Sequence, residues 1–336
     1  MDDIHVVVLR AERLDPLDGW GDEEAVESVV NAMVLCGIRA ESKLVRSVHD
    51  LERYRDRPGL LAFPHSRRLS SAESLIEPLE AWGVPLVGSG STGLAAQHKG
   101  NAKRLLAKAG VPTPAYALAD HQMDPRSLVA RLGLPLVVKP VAGAESVGVV
   151  KCDDLSSLRA ALRTPGLLVE EWKRHRELTV AILGNGGDRI AAPAEVVLPD
   201  AQYFLDVTTK RERITSTLAP APDDEVTREA VAAALEACRI LDVRDWARVD
   251  VLIDHDGKPY VIDVNAMPGM RRSTDHPSYL PWCFALDQGM PYHQVVSTVI
   301  GAAAARCGQY DGFQPGAEAA RRGLVPTAQQ GPNASC

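Results

Sequence analysis

The chain has 336 residues, 46% hydrophobic, 24% charged and 5% aromatic, the profile of a folded globular protein and not of a disordered, collagenous or membrane-spanning one. Its 37 Lys and Arg against 44 Asp and Glu leave a net charge of −7, so no global positive field attracts nucleic acid or anionic lipid. At roughly 100 to 200 residues per domain, two or three domains are expected, and an anionic ligand needs a local basic site.

The start, Met1-Asp2-Asp3, is acidic where a secretory signal would be basic, and no apolar run reaches the roughly 18 residues of a membrane span, so a cytoplasmic protein is expected. Ile4 to Leu9 reads as a buried strand and Glu23 to Cys36 as a helix stopped by Gly37. Leu60 to Phe63 is a second apolar run, Ala72 to Trp82 a second helix and Val84 to Gly88 a third strand, which together predict a small open α/β domain ending near Thr92. An amphipathic helix from Leu94 to Ala109 follows, and Val111-Pro112-Thr113-Pro114 then forces extended chain. Pro135 to Pro140, Ser146 to Lys151 and Leu167 to Trp172 read as strands, the first two joined by a glycine-containing loop. A third unit runs from about Glu177 to Ala305. The Pro-, Gly-, Ala- and Gln-rich tail from about Gly312 is expected to be mobile, since it cannot bury enough surface to offset its ordering entropy. Six cysteines (Cys36, Cys152, Cys238, Cys283, Cys307, Cys336) form no C-x-x-C pair, which excludes a zinc knuckle or redox motif and predicts reduced, structural thiols.

The segment from Trp246 to Met270 carries most of the chemistry. Asp256-Gly257 predicts a two-residue hairpin turn, so Asp250 faces Asp263 and Arg248 faces Asn265, all on one side of the sheet. Val249, Val251, Ile253, Tyr260, Ile262 and Val264 fall on the other side, the core. Directly opposed like charges are destabilising unless a cation lies between them, and oxygen-only ligands suit Mg²⁺. The same face is equally that of a polar hairpin in which Arg248 neutralises the carboxylates. Two further signals are weak singly. Lys139 ends an apolar strand before the Val141 to Gly148 loop, whose backbone N–H groups can cradle phosphate or can simply form a hairpin turn; it is not a P-loop. Glu170-Glu171-Trp172, with Glu177 beyond, offers an apolar slot and carboxylates for a purine nucleoside, or ordinary core packing and a solvated face.

As a set these segments resemble the ATP-grasp superfamily, and within it the D-alanine–D-alanine ligase family. The resemblance rests on Gly88-Ser89-Gly90-Ser91-Thr92 leading into Lys99, on Val138-Lys139-Pro140, Ser146-Val147-Gly148, Glu170-Glu171-Trp172 and Glu177-Leu178-Thr179, and on the hairpin ending Asp263-Val264-Asn265-Ala266-Met267-Pro268-Gly269-Met270. It covers more than half the chain and implies an α/β (α+β) ATP-grasp fold with a Rossmann-like amino-terminal domain. The expected units are an amino-terminal substrate domain (1–93), a central subdomain forming the ATP lid (94–176), a carboxy-terminal subdomain (177–311) and the tail (312–336).

The resemblance implies that Lys99, Lys139 and Lys210 contact ATP phosphates, that Glu170, Glu171, Trp172, Lys173 and Glu177 hold adenine and ribose, and that Asp250, Asp263 and Asn265 bind a pair of Mg²⁺ ions, for which Mn²⁺ can substitute. Arg248, the backbone at Gly269 and Ser146 would sit at the reacting centre. The implied reaction transfers the γ-phosphoryl group of ATP to a carboxylate and lets an amine attack the acyl phosphate, releasing ADP and phosphate. Such chemistry is mostly positioning and charge neutralisation. A homodimer is implied as well, with a small amino-acid-like substrate and neither a nucleic-acid nor a membrane partner.

Three departures fall on substrate-reading elements. The family's glycine pair and Ser-x-Glu run are absent after Leu9, where only Gly21 to Val26, including Glu24, stands nearby. The His-Gly segment keeps only His65. A serine-rich segment becomes Arg271 to Tyr279, with Arg271, Arg272 and Asp275 as candidate substrate contacts. Glu145 and Arg211 stand where the family has a serine and a tyrosine, and their opposite charges predict a loop latch that excludes water. These departures favour a carboxylate–amine ligase for a substrate other than plain D-alanine, in a specialised metabolite pathway such as antibiotic biosynthesis or closing a ring within one molecule. Authentic D-alanine–D-alanine ligation is the alternative. A catalytically inactive nucleotide-binding regulator is a third reading, disfavoured by retention of Arg248, Asp250, Asp263 and Asn265 together.

Overall fold

The computed structural model describes residues 4–12, 23–69, 73–95, 98–142, 146–173, 176–198, 217–273 and 277–309. The amino-terminal sheet is parallel, in the order β2 (Arg39–Val45), β1 (His5–Ala11), β3 (Leu60–Pro64). Helix α1 (Glu23–Leu35) buries Val26, Val29 and Met33 against it. Strand β2, Arg-Ala-Glu-Ser-Lys-Leu-Val, escapes a hydrophobicity-based reading because it is an edge with only Val45 buried. Val84 to Gly88, expected as a strand, contributes a single parallel bridge from Leu86 to Ala62. Pro85 has no N–H to donate, and Gly88 at φ +97° turns the chain away under the Trp246 ring, where a Cβ would lie 2.5 Å from Cζ3.

Short helices α2 (Val48–Leu51) and α3 (Ile76–Ala81) cover the other face. The single helix expected over Leu94 to Ala109 is two, α4 (Ser91–Ala95) and α5 (Lys99–Lys108), and His98 caps the second by accepting from Asn101 N at 3.4 Å. Lys99 thereby opens a helix.

An antiparallel sheet follows in the order β4 (Tyr116–Ala119), β7 (Leu167–Glu171), β5 (Leu136–Pro140), β6 (Val150–Cys152). Helices α6 (Pro125–Leu132) and α7 (Leu155–Ala161) fill its apolar face. Strand β6 starts four residues later than expected, because Ser146 at φ +62° and Gly148 at φ +74° form a turn there. The largest sheet is antiparallel, β10 (Leu218–Pro220), β9 (Ile190–Val196), β8 (Arg176–Leu183), β11 (Trp246–Ile253), β12 (Pro259–Asn265). Helix α8 (Glu225–Ile240) packs Ala230, Ala234 and Ala237 on one side of it, while α9 (Tyr279–Gln288) and α10 (Tyr292–Arg306) close the other.

One buried carboxylate ties the sheets together. Asp245 accepts from Gly88 N at 2.6 Å, from Asn185 Nδ2 at 2.7 Å and from both Nε and an Nη of Arg306 at 3.0 and 2.7 Å, while that Nη also donates to Leu86 O at 2.7 Å. Among the described residues no helix is long and apolar enough to cross a membrane. Cys36, Cys152, Cys238, Cys283 and Cys307 are free, and burial pushes the Cys238 and Cys283 thiols up to about 12, which leaves them unreactive; Cys336 lies outside the described residues.

Candidate active site

The hairpin pairs Arg248 with Asn265 and Asp250 with Asp263 as its sequence predicts, but by a different route. The turn is a three-residue loop, His255 to Gly257, with Asp254 N donating to Lys258 O at 3.1 Å and Gly257 at φ +80°. Near the turn the pairing is therefore one residue out of the expected register, Leu252 opposite Tyr260 and Val251 opposite Val261. A bulge at Ile262 restores the register beyond it. Tyr260 and Ile262, expected in the core, are half-buried, and Val261 takes the core position.

On the polar face Arg248 grips Asp250 through two bonds, Nε to Oδ1 at 3.1 Å and an Nη to Oδ2 at 3.0 Å, and Thr179 of β8 donates to the same Oδ1 at 2.8 Å. Burial works against the guanidinium, yet Asp250 more than offsets that and holds it charged. Tyr279 lies against it, ring centroid 5.6 Å from Cζ, its hydroxyl 2.6 Å from Thr217 Oγ1. Lys99 Nζ donates to Asp263 at 3.2 and 3.4 Å. Burial opposes ionisation of Asp263, but Lys99, Lys139 and Arg248 hold its carboxyl below the usual carboxylate range. Glu177 shares the face one pleat from Thr179, since Asp250 pairs with Thr179 and Leu252 with Glu177.

Beneath Lys99 lies a buried charge cluster. Glu170 sits between Lys103 Nζ at 2.5 Å and Lys139 Nζ, and each of the three residues is less than a tenth exposed. Lys103 also donates to Thr113 Oγ1 at 2.5 Å and to Val261 O at 3.1 Å, joining α5 to the hairpin. Burial brings its ammonium down to about 8, whereas Glu170 stays below the usual carboxylate range because the two lysines outweigh its own burial. Lys103 was not among the residues singled out by sequence. Its signal was its spacing, four residues after Lys99 and so on the same face of one helix.

Around this centre, Trp172 lies 5.4 Å from Lys151 Nζ, Glu171 pairs with Lys173 at 2.6 Å, and Lys173 Nζ stands 5.8 Å from the Tyr260 ring. Trp246 Nε1 donates to Pro268 O at 3.2 Å and steadies the chain entering Gly269. On the amino-terminal side, His65 is buried, its Nδ1 3.1 Å from Ser66 Oγ, while Glu24 is exposed on the first turn of α1. Arg271 N donates to Ser278 Oγ at 2.8 Å, and Arg272 lies over Tyr292 at 5.9 Å. Lys210, Asp275, Glu145 and Arg211 lie outside the described residues.

Arg248 and Lys99 each neutralise one of the opposed carboxylates, so the chain's own cations suffice to hold the hairpin. Among the described residues no three His, Cys, Asp or Glu side chains converge on a point. The available donor set is Asp250, Asp263 and the amide of Asn265, whose buried Nδ2 has no hydrogen-bond partner. Hard oxygen ligands so few in number suit Mg²⁺, which keeps waters and phosphate oxygens, and no softer ion.

Residues 105–301 match the family model for the D-ala D-ala ligase C-terminus. A D-alanine–D-alanine ligase of Cupriavidus metallidurans is 38% identical over 238 residues, 67% of this chain and 69% of that protein. One of Gloeobacter violaceus is 33% identical over 237 residues, 66% of this chain and 74% of that protein. Among solved structures, the Bacillus anthracis ligase complexed with ATP superposes with a TM-score of 0.69 at 21% identity, covering 91% of this chain and 99% of that one. The Coxiella burnetii ligase gives 0.69 at 20%, covering 92% and 96%. The chain belongs to the D-alanine–D-alanine ligase family of ATP-grasp proteins and is an ADP-forming ligase of carbon–nitrogen bonds.

Proposed function

We propose that this ligase activates the carboxylate of an amino acid or amino-acid-like substrate as an acyl phosphate and couples it to an amine, with a substrate other than plain D-alanine. The convergence of Arg248, Lys99 and Lys139 on the Asp250–Asp263 face carries the reading of the chemistry: three cations, two of them already hydrogen-bonded to carboxylates that metal would occupy, stand where phosphoryl oxygens need neutralising. Asp250, Asp263 and Asn265 would hold Mg²⁺, which when bound supplies charge neutralisation for the transferred group. Glu170 fixes Lys139, Trp172 and Glu177 border the nucleoside, and Arg248 with the backbone at Gly269 stabilises the negative oxygen of the addition step. In this reading 94–176 closes over ATP bound on 177–311, while 1–93 reads the amino acid and mediates a homodimer in the cytoplasm.

The substrate reading rests on the rewritten elements after Leu9, around His65 and across Arg271 to Tyr279. D-alanine–D-alanine ligation is favoured instead by the names of the relatives. The two separate in one experiment, ADP release with D- and L-amino acids offered singly and in pairs. Turnover confined to D-alanine establishes the second reading; turnover with a single compound whose product contains one substrate unit, and not two, indicates ring closure. Absence of ADP release with every amino acid would remove the proposed substrate class.

A further inference from the structure

Arg10 stands near the carboxyl end of β1, directly after Leu9. Ligands of open parallel sheets bind outside the carboxyl ends of the strands. By the alternation of the strand Arg10 shares a face with Val6 and Val8, whereas Val7 and Leu9 point into the other core. Val6 and Val8 belong to the same core as Phe63 and Trp246, whose rings meet edge to face at 5.3 Å, and Trp246 in turn holds Pro268 beside Gly269. Arg10 therefore stands at the carboxyl end of the sheet, on the face of β1 whose valines share a core with Trp246. His65 is its neighbour on the adjacent strand, since His65 N continues the ladder by donating to Leu9 O at 3.0 Å.

The pairing of this guanidinium is one-sided. One Nη meets Glu23 Oε1 at 2.7 Å, and Glu23 is two-thirds exposed. Nε, on the other edge, is buried and has no hydrogen-bond partner. An arginine left with a buried donor forfeits its hydration there, which costs free energy unless a ligand supplies the acceptor. The open edge, Nε with the second Nη, is the planar fork that matches a carboxylate bidentately. Glu23 orients the side chain without occupying that edge.

We infer that Arg10 is a substrate-specificity residue, binding a second carboxylate on the amino-acid substrate, the one that is not activated. The substrate class is thus an amino dicarboxylic acid. This rests on the ligase reading above and specifies which substrate that site takes.

The test is calorimetric titration of the full chain, with Mg²⁺ and a non-hydrolysable ATP analogue present, using D- and L-aspartate and glutamate against asparagine and glutamine. Expected is binding of at least one acid roughly tenfold or more tighter than its amide, as a charge-assisted bidentate contact implies. Arg10→Gln should erase that ratio. Arg10→Lys, which keeps charge but not the fork, should lose most of it and covers the case in which Arg10→Gln does not fold. Glu23→Gln should preserve the preference. Equal affinity for acid and amide, an unchanged ratio in both Arg10 variants, or no binding of any acid overturns the inference. ADP release in the same preparation with an amino acid that is neither alanine nor a dicarboxylic acid would leave the ligase reading standing when this one falls, whereas selective acid binding with ADP released in response to none of the amino acids would do the reverse.

Discussion

The two sides of the candidate site differ in how their charges are satisfied. Around the hairpin, Arg248 is held by Asp250, Asp263 by Lys99, and Glu170 by Lys103 and Lys139, with burial enforcing each match. Around the parallel sheet, Arg10 keeps its buried Nε unpaired and Glu24 is exposed, and beyond Met270 the guanidinium of Arg272 rests on the Tyr292 ring. A fixed, internally neutralised constellation suits a phosphoryl group, whose geometry is the same in every turnover and whose transfer needs preorganised charge. An incompletely satisfied side suits the binding of a substrate whose own charges would complete the pairing. The difference also predicts where substitutions act: on rate or stability at the first side, on substrate preference at the second.

Removing a carboxylate from the first side should have the largest effect. Asp263→Ala is expected to lower ADP formation by roughly a thousandfold or more, because it deletes the partner of Lys99 and the carboxylate proposed to hold Mg²⁺ together. Steady-state ADP release with circular dichroism on the same sample checks it, and near-native turnover in a folded variant would contradict the assignment. Glu170→Gln tests the buried cluster through stability. It strands two lysines without their counterion and should cost about 3–5 kcal/mol in denaturant unfolding. Lys103→Met, which leaves Glu170 paired with Lys139, should cost about 1–3 kcal/mol. An equal cost for both would mean that hydrogen bonds and not charge compensation hold the cluster.

The first side was also the more legible one in sequence. Alternation along β11 and β12 located Arg248, Asp250, Asp263 and Asn265 because side-chain period is a local property of extended chain. The predicted pairs survived although the turn was misassigned, since the longer His255 to Gly257 loop and the bulge at Ile262 shift the register in opposite senses. The bulge itself, and with it the placement of Tyr260 and Val261, has no local signal: it depends on what packs against β12. Lys103 was missed for a related reason. A lysine in an amphipathic helix reads as solvated until tertiary structure buries it against Glu170, 67 positions along the sequence. Strand β2 carries no apolar signal because an edge strand needs little, and Val84 to Gly88 has the composition of a strand but pairs only at Leu86, its valines dividing between two cores and Gly88 turning under Trp246.

Arg248→Lys moves back to rate. Lysine keeps the charge but not the planar fork that holds Asp250 through two bonds, so kcat should fall by roughly a hundredfold with a smaller change in the KM for ATP. A change confined to KM would make Arg248 a ground-state binding residue and blur the contrast between the two sides.

The smallest effect should come from the second side. Arg272 is exposed and lies against Tyr292, while Arg271 closes a loop through its backbone, N to Ser278 Oγ at 2.8 Å and O accepting from Ser278 N at 3.1 Å. Both of those contacts use backbone atoms of Arg271 and are available to the double variant Arg271→Ala with Arg272→Ala as well. The stacking of the exposed Arg272 guanidinium on Tyr292 contributes only about 0.5–1 kcal/mol, so losing that contact should hardly change stability. What the double variant removes is positive charge beside the chain that leaves Gly269 and Met270. It should therefore raise the KM of one amino substrate severalfold, roughly 1 kcal/mol of binding, and leave the KM for ATP unchanged. Parallel increases in both constants would place the segment with the nucleotide side, and the division of labour between the two regions would then fail at this loop.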